Sequence, residues 1–127
     1  VFNNQIKLRG LEEYIHKKVK LSRDRFLRKQ RYFGKKIVVL DVPLLFEKSI
    51  DKLVDVSVLI YAPKEVQVTR LVKRDGIDPK LAQTILANQM PIEDKKKLAQ
   101  FTIENTSDIK HLDKKVRKFL EAVSSKL

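Results

Sequence analysis

Two carboxylates, Asp41 and Glu47, punctuate the apolar stretch IVVLDVPLLFE at residues 37–47. Asp41 follows four apolar residues, a place from which an acid can reach a cation. Glu47 ends an apolar lip made of Leu44, Leu45 and Phe46. Further along, Arg70 and Arg74 stand four positions apart, so on a helix both guanidinium groups leave one face. Two planar forks side by side suit a polyphosphate, although two solvated arginines are the plainer alternative. His16 lies between Glu12–Glu13 and Lys17, Lys18 and Lys20, a setting that serves a surface residue as readily as a functional one. There is no cysteine, and neither His16 nor His111 has metal-ligand spacing around it, which argues against covalent catalysis and metal-dependent hydrolysis.

These side chains need elements to hold them. Residues 37–42 form a short apolar run without alternation, the pattern of a strand buried on both faces of a parallel sheet. Pro43 cannot continue a central strand, so the chain leaves the sheet there. Ligands of open α/β sheets sit beyond the carboxyl ends of the strands, which directs attention to residues 43–47. A second strand is predicted at 54–61 and a third, short one at 101–104. Residues 4–33 carry Ile6, Leu8, Leu11, Ile15, Val19 and Phe26 at roughly helical spacing, with Gly10 and Ser22 as places where the helix could divide. Gly34 stops it. A helix over 63–74 turns Gln67, Arg70 and Arg74 away from its apolar side. Asp78 and Pro79 are a cap and first turn for a helix to about 89, Met90-Pro91 breaks it, and a charged helix covers 92–98. These last helices read as a flap, and a final amphipathic helix runs from about 108 to 125.

At 127 residues the chain allows one domain with one core. No apolar run approaches a membrane span, no secretory signal opens the chain, and the lack of cysteine agrees with a reducing compartment, so a cytoplasmic location is expected. The first residue is Val, which points to residues missing in front or to a start not read as Met. The net charge of +12 is uneven: residues 1–36 hold 12 Lys/Arg against 3 Asp/Glu. Such a segment attracts polyanions, or is simply a solvated helix face.

An apolar strand ending in Asp41 resembles a Walker B strand, whose acid holds Mg2+ directly or through water. The Gly-rich, Lys-Ser/Thr loop that would partner it is absent, since the three glycines, Gly10, Gly34 and Gly76, are scattered. Taken together, LEEYIH at 11–16, VVLDVPLLFE at 38–47, Val54-Asp55, Gln67-x-x-Arg70-Leu71-x-x-Arg74-Asp75-Gly76, Gln89-Met90-Pro91, Lys95 and Ile103-Glu104-Asn105 resemble the dephospho-coenzyme A kinases, in their order and at their spacing. That family belongs to the P-loop kinase-like group. The resemblance implies a three-layer α/β fold with parallel strands, a helical CoA-binding part over 1–36 and a helical lid over 63–99. It implies ATP-dependent phosphorylation of the 3′-hydroxyl of dephospho-CoA, the last step of coenzyme A synthesis, with ATP and Mg2+ required. By the same resemblance His16, Leu44, Leu45 and Glu47 line the acceptor site. Gln67, Arg70 and Arg74 belong to the lid over ATP, Asn105 lies near its adenine, and Asp41 is the metal candidate.

The chain departs from the family at Lys17, where proline would follow His16, and at Gln100, where Ala99 would be followed by Asp. The family's opening strand, Walker A loop and catalytic base would precede Val1. The chain therefore reads as an N-terminally truncated, incomplete kinase domain without its phosphate loop, marginally stable, with no ground for turnover on its own and with room for a missing N-terminal segment or companion polypeptide. The expected partners are dephospho-CoA and ATP. Two alternatives are a non-catalytic remnant that binds CoA-type ligands and a basic module that binds nucleic acid through 1–36. Tyr14, Phe26, Tyr32 and Phe33 are too irregular for base stacking, which disfavours the latter.

Overall fold

The computed structural model describes residues 2–125, with side chains from Gly10 onward. The chain forms two compact units, one ending at Asp41 and the other beginning at Val42.

The first unit is one long helix and the segment that leaves it. Helix α1 spans Phe2–Tyr32 without a division at Gly10 or Ser22. Its many Leu, Lys, Arg, Glu and Gln residues are good helix formers, and no proline interrupts them, so one interior glycine is carried. Gly34 ends the helix in the left-handed region, φ 65°. Its N–H donates to the Arg31 carbonyl at 3.0 Å and that of Lys35 to the Gln30 carbonyl at 3.1 Å. This crossed pair satisfies the last carbonyls of the helix.

The strand predicted at 37–42 is not formed. The segment is irregular, and Ile37 and Val39 are exposed. A strand exists only where a neighbour accepts and donates its ladder bonds, and among the described residues no strand pairs with this one.

The second unit is an α/β fold in which helices flank a small parallel sheet. Strand β1 is Val58–Tyr61, helix α2 is Lys64–Asp75, α3 is Pro79–Ala87, α4 is Ile92–Leu98, strand β2 is Phe101–Glu104 and α5 is Ile109–Ser124. The strands are parallel, with Val58 opposite Phe101 and Tyr61 opposite Glu104. The three intervening helices make the crossover that parallel strands require. Strand β1 starts four residues later than predicted, and Ser57 just before it is fastened both by the Phe101 N–H, which donates to its carbonyl at 3.1 Å, and by side chains. The Ser57 N–H donates to the Gln100 side-chain carbonyl at 2.7 Å, and the Gln100 N–H donates to the Ser57 hydroxyl at 3.2 Å.

Local signals explain the helix starts. The Asp78 carboxylate accepts from the N–H groups of Lys80 and Leu81 at 2.6 and 3.3 Å, with Pro79 in the first turn. Asp108 caps α5 through the His111 N–H at 2.9 Å. Among the described residues, Phe46, Ala62, Ala82 and Ile103 are the buried apolar ones. Helix α5 closes over β2, where the rings of Phe101 and Phe119 meet edge to face at 5.3 Å.

Candidate functional site

Pro43 sends the chain into a run of turns through Ser49, which sits in the left-handed region at φ 53°. The Lys48 N–H donates to the Leu44 carbonyl at 3.2 Å and that of Ile50 to the Leu45 carbonyl at 2.8 Å. Leu44 and Leu45 are half-buried and Phe46 is buried, so the lip is anchored from within.

The turn delivers Glu47 to the break between α3 and α4. There its Oε1 accepts the Met90 N–H at 3.0 Å and an ion pair from Lys95 Nζ at 2.9 Å. The same ammonium donates to the Pro43 carbonyl at 3.2 Å and to the Gln89 side-chain carbonyl at 3.4 Å. The ammonium thus faces three acceptors, as many as it has N–H groups. The Lys95 side chain is only 9% exposed and that of Glu47 18%. Burial works to raise the Glu47 carboxyl; the bonds from Lys95, its own N–H and Met90, with the Lys95 charge, outweigh it and hold the carboxyl below its ordinary range. The other oxygen, Oε2, is buried and takes no hydrogen bond.

This cluster joins three pieces that the sequence singles out separately: PLLFE, Gln89-Met90-Pro91 and Lys95. Lys95 had no assigned role, because it is the first of three consecutive lysines. A signal existed: Ile92, Lys95 and Ala99 share a helical face, and all three are buried or half-buried, while Lys96 and Lys97 are exposed.

The other predicted residues are placed as follows. Gln67 is half-buried, and its amide donates to the Ala62 carbonyl at 2.7 Å, bracing the exit from β1. Arg70 is exposed on α2. Arg74 is held by its neighbour Asp75 through two bonds of 2.6 and 2.9 Å. That guanidinium keeps the Asp75 carboxyl below its ordinary range. Asn105 follows β2, and its N–H donates to the Tyr61 carbonyl at 2.7 Å. Beside it the Tyr61 hydroxyl donates to Glu93 at 2.6 Å, with Lys96 Nζ 4.3 Å from the ring centre. The bond to Glu93 raises the Tyr61 pKa. His16 is an exposed residue of α1, and Asp41 is exposed in the irregular segment, not at a strand tip. Among the described residues no three His, Cys, Asp or Glu side chains gather into a metal site.

The sequence profile of the dephospho-CoA kinases matches residues 1–111. The chain belongs to the dephospho-CoA kinase family. The dephospho-CoA kinase of Fusobacterium nucleatum is 38% identical over 97% of this chain and 62% of its own length. That of Bartonella quintana is 39% identical over 95% of this chain and 62% of its own length. The crystal structure of TT1252 from Thermus thermophilus superposes with a TM-score of 0.70 at 31% identity, covering 94% of this chain and 59% of that one. The chain thus spans about 62% of the length of these curated dephospho-CoA kinases. The expectation of an N-terminally truncated fragment is corrected here: the family match begins at residue 1 and takes in nearly the whole chain, so family membership rests on the chain as it stands. No helix among the described residues is long and apolar enough to cross a membrane.

Proposed function

We propose that this chain takes part in ATP-dependent phosphorylation of the 3′-hydroxyl of dephospho-CoA, the closing step of coenzyme A synthesis. Its share is to hold the acceptor and to neutralise phosphate charge. The observation that carries this reading is the Glu47–Lys95–Met90 cluster, which draws residues 43–47 and the break at 89–91 into one buried polar contact. A carboxylate kept ionised at the end of an apolar lip can accept a hydroxyl or amide hydrogen from the acceptor, while Leu44 and Leu45 meet its apolar parts. His16 and the helical part over 1–36 are proposed to hold the remainder of the acceptor.

Residues 63–99 are proposed as the lid. In the reaction the 3′-oxygen bonds to the γ-phosphorus and gives up its proton to water, the bond from that phosphorus to the ADP oxygen breaks, and ADP leaves. Little covalent chemistry falls to the protein, so positioning and charge compensation dominate. Arg70 and Arg74 offer guanidinium forks to phosphate oxygens, and an arriving phosphate must draw Arg74 from Asp75. Gln67 orders the start of α2, and Asn105 stands near the adenine. Mg2+ bound with ATP would offset phosphate charge. Asp41 is the residue proposed to hold it, and among the described residues no three His, Cys, Asp or Glu side chains gather into a cage for it.

Calorimetry with dephospho-CoA tests the proposal. Saturable binding is expected, weakened at least about tenfold by Glu47→Ala, which corresponds to about 1.4 kcal/mol. No detectable binding up to about 1 mM, a free energy weaker than about −4 kcal/mol, would refute it. Titration with ATP and an assay for ADP release measure the donor side separately.

A further inference from the structure

We infer that Lys95 is a positioning residue for the acceptor: it acts through Glu47 and the Pro43 carbonyl to set the shape and charge of the 43–47 turn. The inference deepens the reading above and rests on it. Lys95 reaches both ends of the turn at once, Pro43 at 3.2 Å and Glu47 at 2.9 Å. Its third bond goes to Gln89, the residue before the N–H that also meets Glu47. The ammonium is therefore the hub at which the turn and the α3–α4 break share one set of bonds.

A buried cation on a helix of solvated charges is costly unless its partners are fixed. Here three acceptors surround the ammonium, and the second oxygen of Glu47 is buried without a partner. With Oε1 committed to Lys95 and Met90, the carboxylate plane is set and Oε2 is kept buried, so the charge that the turn presents is fixed by the cation. Without the cation, Glu47 must turn towards water or take up a proton, and in either state the turn presents a different face.

The test uses the full 127-residue chain and dephospho-CoA as the probe. Lys95→Met keeps the length of the side chain and removes the charge. It is expected to weaken dephospho-CoA binding at least about tenfold at a temperature where circular dichroism shows the variant folded. The chain contains no cysteine, so Lys95→Cys carries a single thiol. Alkylating that thiol with bromoethylamine under denaturant, followed by refolding, installs an ammonium at nearly the lysine position. Recovery of binding to within about threefold of the original chain, against no recovery on capping with iodoacetamide, is expected. Folded Lys95→Met that binds like the original chain would overturn the inference and leave the proposed function standing. So would recovery by both caps, which would mark Lys95 as bulk filling. Failure of the unmodified chain to bind dephospho-CoA would instead bring down the proposed function, and this inference with it.

Discussion

Glu47 shows how one side chain ties pH to stability. Burial alone would lift its carboxyl, but Lys95 and two backbone N–H groups pull it below the ordinary value of 4.5. A carboxyl depressed in the folded state adds stability that is fully present above its unfolded value and lost as pH falls through the folded one. The urea midpoint should therefore hold between about pH 7 and 5 and drop below 4.5. Glu47→Gln should flatten that drop, which equilibrium unfolding at several pH values checks. Lys95→Met, which strands a buried carboxylate, should cost on the order of 3 kcal/mol. Urea denaturation of Lys95→Met beside Glu47→Gln/Lys95→Met checks this, since the double variant should regain part of the loss. Family resemblance marked Glu47 and Lys95 as positions, but nothing in a string of lysines says that one of them meets a carboxylate 48 positions upstream.

The secondary elements give the tests whose signs are easiest to foresee. Gly34 holds a left-handed conformation at the end of α1, whereas Gly10 lies inside the helix with open space where a Cβ would go. Gly34→Ala should lower helix stability by about 1 kcal/mol and Gly10→Ala should raise it by a similar amount. Thermal melts followed by far-ultraviolet circular dichroism distinguish the two. Asp78→Ala removes the cap of α3 and should cost about 1 kcal/mol. Gln100→Ala leaves the N–H of Ser57, a residue 5% exposed, without its acceptor, and should cost about 1–3 kcal/mol in urea unfolding. The helices were readable because their signals are local: capping aspartates, Pro79 and Pro91, and terminal glycines. The strand over 37–42 was not, because an apolar run records only a preference for burial.

For the molecule as a whole, charge and apolar surface dominate. The chain carries +12, most of it in the first 36 residues. Among the described residues four apolar side chains are buried, while Leu11, Val19, Val39, Leu53 and Ile109 are all more than half exposed. Each strand of the two-stranded sheet keeps one edge unpaired, an arrangement prone to further pairing. The charge predicts loose, sequence-independent attraction to polyanions. Affinity for unrelated duplex DNA should be the same for shuffled sequences and fall with log salt at a slope of about −0.9 per phosphate neutralised. Fluorescence anisotropy at several salt concentrations checks it, and a sequence preference that survives salt would favour a nucleic-acid role instead.

The amino-acid order by itself determined the helices and the family, since helix hydrogen bonds close within four residues and motifs are strings. Tertiary structure alone decided which strands exist and what Glu47 touches. A ladder at 58–61 needs residues 101–104, and the Glu47 carboxylate needs an N–H and an ammonium more than 40 residues away. A partner at that separation is chosen by how the chain packs, and no local pattern in the sequence encodes the choice.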